Sequence, residues 1–363
     1  AYLIRDEKTV LVDTVWTPFA DRLIENIRQV VNPAEIDMVV VNHAEVDHAG
    51  ALPAVMRCVP AAPVIVSRHG RENVEGHFHQ LWNFRVVTTG ERINIGKSDL
   101  MFVEAPMLHW PDSMFTYLTG RSILMPNDAF GQHYATAQRF NDQVNQGELF
   151  EEALKYYVNI LTPYSKQVLK KIDELLSLNL SVDIIAPSHG VIWRDRPLQI
   201  VEKYRQWARQ EPEPRAVILY DTMWGGTRRM AEAIGDGLAE EGVDCRLVHT
   251  AVTDRNDALV EVFRARTVVV GSSTVNNGVL PTIRPLLESL RGLRFRNKLG
   301  AAFGSYGWSG EAVRVIEQHL ADCGVPLVRE GIRCKWQPGA QDLEACRAFG
   351  REIARATVRP SPQ

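Results

Sequence analysis

The second half of the chain alternates short apolar runs with longer amphipathic segments, and this alternation limits the folds that it can adopt. Strands are predicted at 216–221, 244–250, 267–272 and 298–304, with a weaker one near 326–330. Helices are predicted at 227–241, 281–290, 309–322 and 341–357. Strands and helices that alternate at this spacing indicate a parallel sheet that helices cover on both faces.

A short segment rich in proline and glutamate separates this half from the rest of the chain. It reads Gln210-Glu211-Pro212-Glu213-Pro214-Arg215, and prolines and carboxylates between periodic segments indicate a linker. We therefore predict a first domain at 1–209, the linker at 210–215 and a second domain at 216–358. Residues 359–363 are predicted to be a tail or the start of another linker. The length of 363 residues agrees with two hydrophobic cores.

The first half also alternates apolar runs with turns, but its runs are shorter. Strands are predicted at 10–13, 37–41, 64–66, 100–103, 122–125 and 182–186, and helices at 18–31, 149–160 and 164–177. The chain begins inside a further apolar run, so upstream residues are expected to be missing from this sequence. No apolar run is long enough to predict a membrane span.

Charge and cysteine content exclude several classes of protein. The formal net charge is −3, which gives no reason to expect binding to nucleic acid or to an anionic membrane. The cysteines are odd in number and scattered, and no C-x-x-C occurs; they are Cys58, Cys245, Cys323, Cys334 and Cys346. Neither a disulfide framework nor a cysteine metal site is therefore predicted, and a cytoplasmic location is expected.

Four side chains that can bind metal ions lie within six residues, directly after the predicted strand 37–41. They are His43, Glu45, Asp47 and His48. Three further candidate ligands follow the predicted strands 100–103, 122–125 and 182–186, namely His109, Asp128 and His189. If these strands share one sheet, all seven side chains meet at one of its edges. One histidine after a strand is usually structural, but burying the whole cluster without a metal or counterions would be costly.

The size and chemistry of this set indicate two metal ions. Seven side chains are too many for one closed tetrahedral zinc site, whereas a bridging carboxylate would let them serve a pair. The mixture of imidazole and carboxylate ligands is compatible with iron, manganese or zinc. Of the other histidines, His77 and His79 could line a substrate pocket beside the pair. His69, His133, His249 and His319 are expected to be surface or structural residues.

Three polar loops follow predicted strands of the second half. The first is Thr222-Met223-Trp224-Gly225-Gly226-Thr227, the second contains Ser273, Thr274, Val275, Asn276, Asn277 and Gly278, and the third is Ser305-Tyr306-Gly307-Trp308-Ser309-Gly310. A loop of small and hydroxyl residues before a helix can hold a phosphate, although a tight structural turn has the same composition. The other two loops supply polar backbone groups and aromatic rings for a planar ligand.

The histidine and carboxylate cluster resembles the H-x-H-x-D-H motif of the metallo-β-lactamase superfamily, with Glu45 in place of the middle histidine. Flavodiiron proteins show this replacement, and their later ligands resemble His109, Asp128 and His189. The three polar loops resemble the FMN site of flavodoxins. The resemblance covers nearly the whole chain and is greatest to the flavorubredoxin subgroup, through segments such as 107–114 and 293–298. It implies a multidomain α/β chain, with a metallo-β-lactamase-like αββα sandwich, N-terminally truncated here, and then a flavodoxin-like doubly wound parallel sheet.

The resemblance also implies cofactors and roles. One iron would be bound by His43, Glu45 and His109, the other by Asp47, His48 and His189, and Asp128 would bridge them. FMN would place its phosphate on 222–227 and its ring near Trp224, Tyr306 and Trp308. Electrons relayed through FMN would reduce nitric oxide to nitrous oxide, or alternatively dioxygen to water.

The partners follow from the same resemblance. It implies a head-to-tail homodimer, or a dimer of dimers, in which the FMN of one subunit faces the irons of the other. It also implies a rubredoxin-type electron donor with an NADH-linked reductase, the donor being a separate protein or a further C-terminal domain. Two other interpretations remain. Glu45 argues against a zinc metallohydrolase with an accessory flavodoxin domain, and the complete ligand set argues against an electron-transfer or sensing module with an inactive metal pocket.

Overall fold

A computed structural model describes residues 1–359 of the chain. The chain divides into two units. The first contains Ala1–Tyr156 and Tyr164–Ala208, and the second contains Tyr157–Pro163 and the residues from Arg209 onward. Within 1–359, no helix has both the length and the apolar character that a membrane crossing requires.

Two five-stranded sheets form the first unit. The strands of the first sheet are β1 (Tyr2–Arg5), β2 (Thr9–Val12), β3 (Ile36–Val41), β4 (Val64–Val66) and β5 (Phe84–Val86), in that spatial order. Those of the second are β6 (Arg92–Asn94), β7 (Asp99–Glu104), β8 (Met114–Leu118), β9 (Ile123–Met125) and β10 (Ile184–Ile185), in the order β10-β9-β8-β7-β6. The helices that lie wholly or mainly in this unit are α1 (Ala20–Arg28), α2 (Val46–Ala49), α3 (Leu52–Cys58), α4 (Arg68–Phe78), α5 (Gln146–Ile160), α6 (Ser165–Ser177) and α7 (Leu198–Arg209).

Strand β3 shows how the sequence builds the layers of this unit. Successive side chains of a strand point to opposite faces of its sheet. Met38 and Val40 therefore join the core between the two sheets, while Val39 and Val41 join a second core with α1 and α3. Helix α6 lies against the second sheet, where Lys171 donates a hydrogen bond to the carbonyl oxygen of Glu104 in β7. The predicted αββα sandwich is confirmed.

One parallel sheet forms the centre of the second unit. Its strands are β11 (Glu213–Tyr220), β12 (Cys245–His249), β13 (Ala265–Gly271), β14 (Leu299–Tyr306) and β15 (Ile332–Lys335), in the order β12-β11-β13-β14-β15. The helices are α8 (Gly226–Glu240), α9 (Arg255–Arg264), α10 (Ile283–Leu293), α11 (Ala312–Asp322) and α12 (Ala340–Val358). All four strand pairings are parallel, and the order is that of a flavodoxin-like doubly wound sheet, as predicted.

The sequence misplaced some elements of this unit. The fifth strand was predicted near 326–330, but it lies at Ile332–Lys335, where it pairs with the end of β14. Leu327 makes only an isolated bridge with Gly300, and Pro326 has no N–H to donate to a ladder. Strand β11 begins at Glu213, before the predicted start at 216. Helix α9 was not predicted, because it starts in a polar segment. The side chain of Asp254 caps it by accepting hydrogen bonds from two main-chain N–H groups.

Helices α8 and α12 touch through their backbones at two glycines. A Cβ atom on Gly237 of α8 would overlap the carbonyl oxygen of Arg347 in α12. A Cβ atom on Gly350 of α12 would overlap the carbonyl oxygen of Ile234 in α8. Any side chain at either position would therefore force the two helices apart.

Lys298 is a buried cation at the start of β14. The residue is 6% exposed, and Nζ donates hydrogen bonds of 2.6 Å to the carbonyl oxygens of Phe263 and Ala265. Burial lowers the pKa of Lys298 from its usual value of 10.5 to about 7, against a smaller opposite effect of the Glu213 charge. Between these two values the unfolded chain binds more protons than the folded chain, so stability is expected to rise with pH across that window.

Replacing Lys298 with methionine is expected to remove this contribution. The lysine can add up to about 1.4 kcal/mol of unfolding free energy per pH unit between pH 7 and 10. Urea denaturation of the whole chain at several pH values measures the slope for wild type, for Lys298→Met and for the exposed control Lys335→Met. The control should retain the wild-type slope. An unchanged slope in Lys298→Met would show that the buried ammonium does not titrate in this range.

Candidate functional site

The seven predicted metal ligands lie together on loops at one end of the sandwich. His43 follows β3, Glu45 precedes α2, and Asp47 and His48 lie within α2. His109 lies between β7 and β8, while Asp128 and His189 follow β9 and β10. The expectation that one sheet carries all of them was wrong, because β3 belongs to the first sheet and the other strands belong to the second. The ligands meet because the two sheets pack face to face.

The ligand atoms form two groups. His43, Glu45, His109 and Asp128 make up the first metal group, and Asp47, His48 and His189 make up the second. Within each group, one ligand atom from every residue lies within 4.8 Å of the others. The family resemblance implied the same division for the six ligands other than Asp128, which it made a bridge between the two ions.

The carboxylate of Asp128 lies between four imidazoles. Its Oδ1 is 2.9 Å from Nε2 of His48 and 3.2 Å from Nε2 of His189. Its Oδ2 is 3.4 Å from Nε2 of His109 and 3.6 Å from Nε2 of His43. Each oxygen therefore faces the histidines of a different metal group, which is the arrangement of a bridging ligand.

Charge is concentrated in this small buried volume. Burial tends to raise the pKa of Asp128, but the nearby imidazoles of His109, His189 and His48 hold it well below its usual range. Burial likewise tends to lower the pKa of His43, but Asp112 and Glu45 outweigh it and raise the pKa to about 10.

Several buried polar atoms of the site are suited to a cation. Among the buried polar atoms within 1–359 that make no hydrogen bond are three of this site, namely Oδ1 of Asp47, Nε2 of His48 and Oδ2 of Asp128. Unpartnered buried polar atoms are rare, because each one loses its hydration without compensation. All three belong to the metal groups, and oxygen and imidazole donors are the ligands of iron, manganese and zinc.

Two buried aspartates behind the ligands were not identified from the sequence. Asp13 accepts hydrogen bonds from the main-chain N–H of Asn42 and from Nδ2 of Asn127 (2.7 and 3.2 Å). Each asparagine directly precedes a ligand, so Asp13 ties the loops of His43 and Asp128 together. Asp112 contacts His43 itself. In the sequence, Asp13 is marked only as a carboxylate that directly follows an apolar strand. Nothing in the sequence around Asp112 indicates its contact with His43.

The two histidines predicted for the substrate pocket lie outside both metal groups. His77 is exposed, and its ring is roughly parallel to Trp110 at 6.3 Å between centroids. Trp110 in turn contacts the His43 ring edge-on at 4.9 Å. His79 is exposed at the end of α4. Tyr156, which the sequence did not indicate, donates a hydrogen bond of 3.2 Å to Oδ1 of Asp128.

In the second unit, the three polar loops meet around a cavity of about 560 Å³. The cavity is lined by Met223, Trp224, Gly226, Ser273, Thr274, Val275, Asn276, Asn277, Ser305, Tyr306, Gly307, Trp308, Ser309, Trp336 and Gln337. Five predicted residues adjoin the lining without belonging to it, namely Thr222, Gly225, Thr227, Gly278 and Gly310. Trp336 and Gln337 were not predicted, because they follow the fifth strand, which the sequence placed too early.

Three hydroxyl groups converge where α8 begins. Oγ1 of Thr227 lies 2.9 Å from Oγ of Ser273 and 2.8 Å from Oγ of Ser305. Gly225 precedes the helix with a φ of +81°, which a residue with a side chain adopts only with strain. Hydroxyl donors and the free N–H groups at the start of a long helix are what a phosphate requires.

Two sequence families match the chain. The family described as ODP family beta lactamase matches residues 1–190, and the flavodoxin family matches residues 218–350. The nitric oxide reductase of Moorella thermoacetica is 48% identical over 356 residues, which cover 98% of this chain and 89% of that protein. The anaerobic nitric oxide reductase flavorubredoxin of Escherichia coli is 50% identical over 368 residues, which cover 100% of this chain and 77% of that protein.

Solved structures agree with these matches. The rubredoxin oxygen:oxidoreductase of Desulfovibrio gigas superposes with a TM-score of 0.95 at 39% identity, over 98% of this chain and 90% of that one. The flavodiiron protein of Giardia intestinalis superposes with a TM-score of 0.93 at 31% identity, over 98% and 88%. The resemblance of the first part of the chain to metallo-β-lactamases and of the second part to flavodoxins is thereby confirmed, and the chain belongs to the flavodiiron protein family.

Proposed function

We propose that this protein is an FMN-dependent diiron oxidoreductase that reduces nitric oxide to nitrous oxide. The position of Asp128 is the observation that carries the proposal, because its two oxygens face separate groups of ligands. Relatives about half identical to this chain over nearly all of its length are named nitric oxide reductases, which favours nitric oxide as the substrate.

The residues present suit a pair of irons. His43, Glu45 and His109 would hold one ion and Asp47, His48 and His189 the other, with Asp128 between them. When bound, FMN and the irons would supply two electrons, which with two protons convert two molecules of nitric oxide to nitrous oxide and water. The chain holds the ligands on short loops at the ends of two packed sheets, which fixes their separation.

The two sides of the proposed iron site differ in their exposure to solvent. The side chains of His43 and Asp128 are 0% and 2% exposed, whereas those of Glu45 and Asp47 are 36% and 40% exposed. A small diatomic molecule would therefore reach the site from the side of the two exposed carboxylates. The buried side, which is formed by His43, His48 and Asp128, excludes water and keeps the bridging carboxylate in place.

The cavity of the second unit is proposed to hold FMN. Thr227, Ser273 and Ser305 would offer hydroxyl groups to its phosphate at the start of α8, and Gly225 lets the chain turn there. Trp224, Tyr306 and Trp308 supply aromatic surface for the flavin ring, and Trp336 adds a further wall. Aromatic surface and a few polar groups are the usual lining of a pocket for a planar cofactor.

Dioxygen is the second substrate that we propose. The observation in its favour is the similarity to the Desulfovibrio gigas structure, which is named a rubredoxin oxygen:oxidoreductase. The same ligands would serve both reactions. Two relatives carry rubredoxin in their names, which supports a rubredoxin-type electron donor, and an NADH-linked reductase would keep that donor reduced.

We further propose a head-to-tail dimer, in which the flavin of one subunit serves the irons of the other. Trp224 and Trp308 at the mouth of the cavity are 84% and 85% exposed. In the first unit Trp16 and Phe19 are 52% and 56% exposed, close in sequence to Thr14, which hydrogen-bonds to the His48 backbone. Exposed aromatic side chains of this kind are typical of surfaces that bind a partner.

An anaerobic assay tests the reaction. The chain is loaded with iron and FMN, reduced, and mixed with nitric oxide or dioxygen while flavin reoxidation and nitrous oxide are measured. One nitrous oxide for every two nitric oxide molecules supports the first proposal, and rapid oxidation by dioxygen alone supports the second. A zinc-loaded sample is the control and should be inactive. An iron-loaded chain that neither gas reoxidises would overturn both.

Subunit mixing tests the dimer. A variant without metals, Asp128→Ala, is mixed with a wild-type chain from which FMN has been removed, and the pair is allowed to exchange subunits. A head-to-tail dimer should recover part of the activity, because the flavin of one chain then meets the irons of the other. Absence of recovery together with a monomeric mass in sedimentation would refute it.

A further inference from the structure

We propose that Asp112 is a positioning residue that orients His43 and selects its tautomer for the first metal group. This inference rests on the proposed function, since it concerns the ions that the group would hold. Asp112 is a ligand in neither group and lies behind them, with 1% of its surface exposed.

The contacts of Asp112 are specific. Its Oδ1 and Oδ2 lie 3.3 and 3.2 Å from Nδ1 of His43. Oδ2 also accepts a hydrogen bond of 2.7 Å from the main-chain N–H of Ala44. The carboxylate therefore holds both the ring of His43 and the backbone that follows it.

This contact determines which ring nitrogen of His43 can bind a metal. A carboxylate that faces Nδ1 favours the tautomer with a proton on that atom, because the proton is then donated in a hydrogen bond. The lone pair of the neutral ring then lies on Nε2. That atom is 3.2 Å from Glu45 and 3.6 Å from Asp128, so it points into the first metal group.

Asp112 also links two ligands of the same group. It follows His109 in the loop between β7 and β8, and Ser67 fixes this part of the loop by donating a 2.7 Å hydrogen bond to the carbonyl oxygen of Asp112. A shift of this loop would therefore move His43 and His109 together. In the second group, the carboxylate contacts of His48 and His189 run through Nε2, the atom that faces the group. Asp112 should accordingly affect the first ion far more than the second.

Two substitutions separate the charge of Asp112 from its shape. Asp112→Asn has nearly the same volume and keeps one oxygen that can accept from both Ala44 and His43, but it loses the negative charge. Asp112→Ala removes both the negative charge and the oxygen that accepts these hydrogen bonds. Asp142→Asn is the matched control, because Asp142 belongs to the same unit and forms an exposed ion pair with Arg194.

Metal titration gives a readout that does not depend on turnover. Cobalt(II) is added to the metal-free, FMN-containing chain, and its visible absorption reports each ion. Asp112→Asn should still bind two ions, one of them about 10- to 100-fold more weakly, which is the usual effect of removing a residue behind a ligand. Asp112→Ala should bind one ion tightly, and Asp142→Asn should match wild type. The Mössbauer spectrum of the iron form should show one altered iron in Asp112→Asn and one unchanged.

The possible failures are distinct. If wild type does not bind two ions, the proposed function fails. If wild type binds two ions and Asp112→Asn weakens the binding of neither ion, or of both equally, the proposed role of Asp112 is wrong. A metal-free Asp112→Asn chain that does not fold would also contradict it, because a residue that acts on the metal group should leave the apo fold intact.

Discussion

Replacing Asp128 with alanine is expected to abolish both metal binding and turnover. The bound iron should fall from two ions to fewer than one per chain, and the reduction of nitric oxide or dioxygen should fall by more than about 100-fold. The reason is geometric: within residues 1–359, no other side chain places one oxygen near His48 and His189 and another near His43 and His109. Without the carboxylate, two positive ions would face each other with no anion between them.

Metal analysis and stopped-flow oxidation of the reduced flavin measure this effect. Asp142→Ala is the control, since it also removes an aspartate from the first unit but from an exposed ion pair. The control should keep two irons and wild-type rates, and FMN content should be equal in all three proteins. Two irons retained in Asp128→Ala, or turnover that survives, would show that Asp128 does not bridge.

A valine in place of Gly350 is expected to destabilise the second unit by about 3 kcal/mol or more, at the upper end of the effects of overpacking. The valine side chain would overlap the carbonyl oxygen of Ile234, a backbone atom that cannot move without bending α8. Helices α8 and α12 would separate, and the core that both of them cover would be exposed.

Gly292→Ala is the matched control in the same unit. Gly292 lies in α10, and apart from its chain neighbours and the backbone of its own helix no atom within 1–359 is within 4 Å of the Cβ that alanine would add. Alanine restricts the unfolded chain more than glycine does, so this variant should gain about 0.5 to 1 kcal/mol. Urea denaturation followed by circular dichroism, with FMN release as a second signal, measures both variants. A Gly350→Val midpoint equal to that of wild type would show that the two helices are not in backbone contact.

The clustering of the candidate ligands was predictable because metals require particular side chains, and His43, Glu45, Asp47 and His48 are too dense in the sequence to be incidental. The sheet arrangement was not predictable in the same way. Local periodicity gives the faces of a strand but not its neighbours, so the assignment of β3 and β9 to different sheets could not be read from the sequence. The order of the second sheet was easier, because regular strand and helix alternation restricts the connections.

The misplaced fifth strand also affected the prediction of the residues that line the proposed FMN cavity. The fifth strand was predicted near 326–330, whereas β15 is short and contains arginine and lysine. The loop after β15 was therefore not recognised, and Trp336 and Gln337 were missed. Asp112 was missed for another reason. Its role depends on a contact with His43, which lies 69 positions away along the chain.

The origin of the ligands in two different sheets has a consequence for the sandwich as a whole. His43 and Glu45 come from the first sheet and His109 and Asp128 from the second, and the other group is divided in the same way. Each ion would therefore act as a cross-link that resists sliding of one sheet over the other. Ions that bind only the folded chain stabilise it more as their affinity and concentration increase, so the melting temperature of this unit should rise as metal is added.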